Sequence, residues 1–80
     1  MFEKVKEYFS IELQRAKAEI EKSYYNPTEI VFNAIQRCYG VAEFSIMYCY
    51  MDAFDVTEEY NKIKEDLENL LTNQSKCDII

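Results

Sequence analysis

The sequence predicts an all-α fold, an antiparallel three-helix bundle. Only one Gly and one Pro occur among 80 residues, which is too few for the turns of a β-rich chain. Apolar residues recur every three or four positions in three successive segments, the one-face pattern of an α-helix. Residue types that favour helix starts, Asn26 and Asp55, separate these segments.

The first predicted helix covers about residues 2–25. Its apolar positions lie on one face, at Phe2, Val5, Phe9, Leu13, Ala16, Ile20 and Tyr24. The positions between them are mostly charged, and pairs such as Glu12 and Arg15 stand close enough to interact across one turn. We therefore expect the charged residues to form a solvated face.

The second predicted helix covers about residues 27–53. Asn26 is a preferred N-cap, Pro27 suits the first helical position, and Glu29 stands where a capping box has its acid. One side carries only small residues, at Ala34, Cys38, Ala42, Ser45, Cys49 and Ala53, so we expect the closest helix packing there. A neighbouring stripe of bulky residues is assigned to the core: Phe32, Ile35, Tyr39, Ile46, Tyr50 and Phe54.

A third side of this helix is the candidate interaction site. Phe44, Met47, Tyr48 and Met51 follow the spacing i, i+3, i+4, i+7, whereas two further helices cover only about two sides of the middle one. We expect this row to contact a partner, although the same spacing also suits the core of a monomer. Gly40 precedes the row, where it either permits close approach by a partner or is tolerated at the surface. The predicted interface is Gly40, Phe44, Met47, Tyr48 and Met51.

The third predicted helix covers about residues 56–72, with Asp55 as its N-cap and Thr57 as the alternative cap. Its apolar positions are Val56, Tyr60, Ile63, Leu67 and Leu70. Because neither Gly nor Pro stands near residues 52–55, one continuous bent helix is the alternative to two separate ones. We expect residues 1–72 to form one domain and residues 73–80 to be a loose tail.

Charge narrows the classes of partner. The net charge is −6, and seven acidic against three basic residues give residues 55–80 a net charge of −4. Nucleic acids and anionic membranes are bound by clusters of Lys and Arg, so we expect direct binding to neither. The chain contains three cysteines and shows neither a signal-peptide pattern nor a long uncharged apolar run, so we expect a soluble cytoplasmic protein.

The sequence lacks the usual parts of a catalytic or metal site. Absence of His removes the commonest general base and metal ligand. Gly40, the only glycine, cannot by itself build a phosphate-binding loop. Glu43 and Asp52 would need further ligands from neighbouring helices to hold a metal, and a contact with water or with Arg37 is the simpler expectation. We expect no enzymatic activity, no cofactor and no bound metal.

Two functions remain. The first is a small acidic interaction module that forms a homodimer through its central helix and acts by binding another protein, because closed two-fold dimers are the commonest oligomers. The second is an acidic inhibitor or decoy whose carboxylates occupy the basic, nucleic-acid-binding surface of a target protein.

Overall fold

The computed structural model describes residues 2–22 and 26–79, with side chains up to residue 72. In this part of the chain there are three α-helices and no strand: α1 is Phe2–Lys22, α2 is Pro27–Tyr48 and α3 is Ala53–Ile79. Each helix packs against the other two, within an envelope of 46 × 19 × 17 Å. The all-α prediction is therefore confirmed, and the arrangement is consistent with a three-helix bundle.

The start of α2 is the predicted one. Asn26 has extended backbone angles, and its side-chain oxygen accepts a hydrogen bond from the Thr28 N–H at 2.9 Å. Its carbonyl also accepts hydrogen bonds from the N–H groups of Glu29 and Ile30. The cap thus satisfies donors that the first turn of a helix leaves unpaired. The predicted last residues of the first helix, 23–25, lie outside the described residues.

The junction of α2 and α3 differs from the prediction. The two helices are separate, but α2 ends at Tyr48 rather than at 53, and α3 begins at Ala53 rather than at 56. The cause is Tyr50, which takes a positive φ of 54° and turns the chain without a glycine. The Met51 N–H then donates to the Ser45 carbonyl at 3.2 Å, which closes the turn.

The N-cap of α3 is Asp52, so the predicted caps Asp55 and Thr57 are wrong. Asp52 Oδ1 accepts a hydrogen bond from the Asp55 N–H, and the Asp52 carbonyl accepts one from the Val56 N–H, both at 3.1 Å. Asp55 instead occupies the first turn, where its negative charge faces the positive end of the helix dipole.

The core lies between the three predicted apolar faces. Its buried hydrophobic residues are Val5, Phe9, Ala16, Ile30, Val31, Ala34, Cys38, Ala42, Val56, Ile63 and Leu67. Four residues of the predicted small side, Ala34, Cys38, Ala42 and Ser45, are buried and face this core. The other two differ from the prediction, because Cys49 is half-buried and Ala53 is exposed at the start of α3. The assignment of the whole bulky stripe to the core is wrong, because Phe32, Tyr39, Tyr50 and Phe54 are exposed.

The predicted loose tail at 73–80 stays a prediction. The bounds of α3 run to Ile79, beyond the predicted helix end at residue 72. The structure describes no side chain in this segment, and Ile80 lies outside the described residues.

Candidate interaction surface and buried ion pair

The outer side of α2 exposes three large residues of the predicted interface. Phe44 is 57% exposed, Met47 60% and Tyr48 67%. The rings of Phe44 and Tyr48 pack against each other with centroids 5.2 Å apart, so the two present one joint surface. We refer to Phe44, Met47 and Tyr48 as the α2 patch. The three described helices leave it uncovered.

The other two residues of the predicted interface are placed differently. Gly40 lies exposed on α2, and a Cβ atom added there would meet nothing within 4 Å, so close approach of α1 or α3 does not require a glycine. Met51 follows the end of α2 and packs, half-buried, against the core. It therefore does not continue the helical row of the α2 patch, because the helix has already ended.

Two exposed aromatic residues at the α2–α3 junction were assigned by the sequence to the core. Tyr50 is 91% exposed and Phe54 is 75% exposed. The sequence assignment assumed that the second helix continued through residue 53, and the turn at Tyr50 changes the directions of both side chains. Farther along α2, Tyr39 meets Tyr60 of α3 edge to face at 5.7 Å, which stabilises the contact between these helices.

A buried ion pair joins α1 and α2. The Glu12 side chain is 1% exposed, and Arg37 Nε donates to Glu12 Oε2 at 2.9 Å and to Oε1 at 3.1 Å. The Tyr8 hydroxyl donates to Glu12 Oε2 at 2.8 Å. The carboxylate thus has a charged and a neutral donor, and the described chain leaves no buried side-chain N or O atom without a hydrogen-bond partner.

Sequence reasoning missed this pair by assigning Glu12 to the solvated face. The signal was available, since Val5, Phe9, Glu12 and Ala16 step by four, three and four along the buried side of α1. An acidic residue at a core position requires a charged or hydrogen-bonding partner, because an isolated buried charge is strongly unfavourable. Arg37, on the facing side of α2, supplies that partner.

The ionisation of the cluster follows from these contacts. Burial acts to raise the pKa of Glu12, but the hydrogen bonds from Arg37 and Tyr8 outweigh it and leave the pKa below its usual value. The hydrogen bond to Glu12 raises the pKa of Arg37. Burial and the same carboxylate raise the pKa of Tyr8. Glu12 and Arg37 are therefore charged, and Tyr8 neutral, at neutral pH.

The two described cysteines differ in environment. Cys38 is fully buried, and burial raises the pKa of its thiol to about 12, so it packs as a small apolar residue. Cys49 is half-buried at the C-cap of α2. The side chain of Cys77, the third cysteine, lies outside the described residues.

The described residues contain neither a cluster of metal-ligating side chains nor a helix that could span a membrane. Among them, no group of three or more Cys, Asp or Glu side chains is placed to hold a metal ion. Glu43 and Asp52, the carboxylates considered from the sequence, are both exposed. No described helix combines the length and apolar character needed to cross a membrane. The surface features that remain are the α2 patch, the exposed aromatic residues at the junction, and the acidic side of α3.

Comparison with protein-family models, with curated proteins and with solved structures finds no match to this chain.

Proposed function

We propose that this protein is a small acidic cytoplasmic interaction module, an antiparallel three-helix bundle that forms a homodimer through α2 and acts by binding another protein. The observation that carries the proposal is the exposure of Phe44, Met47 and Tyr48 side by side on α2. Aromatic residues and Met are enriched at the centres of protein interfaces, whereas single exposed apolar residues are ordinary. Three exposed together, with the rings of two in contact, are better explained by an interface.

The small size of the chain supports an association. A chain of 80 residues buries only about 60% of the surface that its unfolded state exposes, so its own core gives limited stability. Covering the α2 patch with a second copy adds apolar burial without lengthening the chain. Homodimers of this kind are usually closed two-fold pairs, in which the same surface serves both partners.

Light scattering at micromolar concentration tests the dimer. We expect a molar mass of two chains, and Met47→Glu should reduce it to one by placing a charge in the apolar contact. Gln36→Glu is the matched control, because it adds the same charge at an exposed position of α2 outside the patch. A wild-type mass of one chain, or equal behaviour of the two variants, contradicts the proposed dimer.

The acidic decoy is the second candidate, and the exposed carboxylates of α3 favour it. Asp55, Glu58, Glu65, Asp66 and Glu68 are exposed. The Lys62 ammonium lies 3.9 Å from a Glu58 oxygen and 3.6 Å from a Glu59 oxygen. Exposed carboxylates in this number complement a basic target surface.

Salt and charge reversal separate the two functions. Affinity for a basic target should fall steeply as ionic strength rises, whereas an apolar contact should respond little. For a partner recovered with the protein from its own cells, the decoy function predicts that reversing Glu58, Glu59 and Glu65 to Lys abolishes binding. Unchanged binding would eliminate the decoy.

A further inference from the structure

Tyr50 is the most exposed of the large hydrophobic residues that the structure describes, and its backbone conformation is unfavourable. Its side chain is 91% exposed, and its φ of 54° lies in the left-handed region. A side chain with a Cβ is disfavoured in this region, and glycine is the residue that helix ends usually place there. The exposed ring has few contacts within the chain to offset this cost. Backbone strain of this kind is concentrated at functional positions.

Phe54 lies four residues farther on, in the first turn of α3. It is 75% exposed and borders an open groove lined by Ala53, Thr57, Glu58 and Asn61. Between the two aromatic residues stands Asp52, whose hydrogen bonds to the first turn of α3 fix the backbone. The junction therefore fixes the backbone that carries both rings, which reduces the backbone entropy lost when they enter a contact.

We infer that Tyr50 and Phe54 belong to the same contact surface as the α2 patch, and that a second copy of this chain covers the whole surface. This inference rests on the proposed function. It extends the dimer contact from the α2 patch to the α2–α3 junction and adds two residues that lie outside the predicted interface.

The exposed area fits a contact between two copies. A fully exposed side chain of this size has an area of roughly 200 Å². Multiplied by the exposed fractions, this area gives a total of about 700 Å² for five residues: Phe44, Met47, Tyr48, Tyr50 and Phe54. The largest apolar patch of a typical monomer covers about 300–600 Å². Each partner in a stable interface of standard size buries about 800 Å². Two copies of this surface, facing each other, therefore supply most of what a stable dimer buries.

The distribution of charge also suits a self-contact with an uncharged centre. Residues 44–51 contain no charged side chain, and Glu43 and Asp52 flank this run. In a two-fold contact the uncharged residues meet at the centre, and the carboxylates remain at the rim, where water and ions screen their repulsion. Added salt should therefore leave the dimer unchanged or strengthen it, opposite to the effect expected for a basic partner.

Sedimentation equilibrium of the wild-type protein and three variants tests the inference. Tyr50→Gly removes the ring while relieving the backbone strain, so the urea midpoint of the monomer should rise even as dimerisation weakens. Phe54→Ala removes the second ring. We expect each change to raise the dimer dissociation constant at least about tenfold, because each ring enters a two-fold contact twice. Phe32→Ala is the control, since Phe32 is a similarly exposed aromatic residue of α2 outside the surface.

The outcomes distinguish this inference from the proposed function. A wild-type dimer with an unchanged dissociation constant in Tyr50→Gly and Phe54→Ala overturns the inference but leaves the dimer in place. A wild-type chain that remains monomeric up to millimolar concentration overturns both. A dimer that dissociates as salt is added contradicts the uncharged centre. An equal effect of Phe32→Ala contradicts the position of the contact.

Discussion

The buried ion pair gives the sharpest prediction about the fold itself. Arg37→Met keeps much of the apolar stem of the arginine and removes the guanidinium group. Glu12 would then be almost wholly buried with the Tyr8 hydroxyl as its one remaining side-chain donor among the described residues. The change in the free energy of unfolding of this variant measures how strongly Arg37 stabilises the buried Glu12 carboxylate.

The size of the effect follows from the exposure of the two partners. Removing one partner of a fully buried ion pair costs about 3–5 kcal/mol, because the other charge remains buried without compensation. The Arg37 side chain is 42% exposed, so water near it already weakens the pair and can reach part of the space that the guanidinium leaves. We therefore expect a loss of about 2–3 kcal/mol, a large fraction of the stability of a small domain.

The same variant should change the response to pH. In the wild-type protein the pKa of Glu12 is lowered by folding, so the stabilisation it gives is complete above the unfolded pKa of about 4.3 and is lost as pH falls through the folded pKa. Without Arg37 the effect of burial, which raises the pKa, becomes dominant. Protonation then favours the folded variant, so the stability gap between wild type and variant should narrow as pH falls from about 7 to about 4.

Urea unfolding at several pH values, at one fixed protein concentration, measures both effects. Lys17→Met is the control, because it removes one positive charge at an exposed position of α1 and should change stability by less than about 0.5 kcal/mol. The double variant Glu12→Leu, Arg37→Met should be more stable than Arg37→Met alone, since no unpaired charge remains. A gap between wild type and Arg37→Met that stays constant down to about pH 4 would refute the reasoning.

Three further predictions concern single residues. Gly40→Ala should stabilise the monomer by about 0.5–1 kcal/mol in urea unfolding, since the added methyl group meets open space and alanine favours the helix; a lower midpoint would contradict this. Asp52→Ala should lower the free energy of unfolding by about 0.5–2 kcal/mol through loss of the α3 cap, and Asp55→Ala should lower it by less. The reverse order in urea unfolding would support Asp55 as the cap, as the sequence predicted. In the native protein a thiol reagent at mildly alkaline pH should modify Cys49 much faster than Cys38, because burial raises the pKa of the Cys38 thiol to about 12. Peptide mass mapping measures the two rates, and equal rates would exclude the buried position of Cys38.

The sequence predicted the parts of the fold that depend on local periodicity and strong caps. The buried faces of α1 and α3 follow the three-and-four spacing, and Asn26 with Pro27 defines the start of α2. The end of α2 could not be predicted in the same way. A positive φ at a tyrosine has no residue-type signal, because glycine is the residue that normally marks such a turn.

The surface of α2 shows why the candidate site was only partly predictable. Helical spacing identified a small side, a bulky side and the row that contains Phe44, Met47 and Tyr48, but spacing alone does not say which side faces the other helices. In the structure the small side faces the other helices, because small residues such as Ala34, Cys38 and Ala42 allow the backbones of neighbouring helices to approach closely.

That choice determines where the large residues go. With only two neighbouring helices, packing on the small side of α2 leaves much of its bulky side facing water, including Phe32 and Tyr39. The turn at Tyr50 then leaves Tyr50 and Phe54 exposed, in addition to the α2 patch. Close packing in the core and an exposed apolar surface are thus two results of one arrangement. A larger side chain on the small side, as in Ala34→Leu, should overpack the core and lower the urea midpoint, because Ala34 is completely buried.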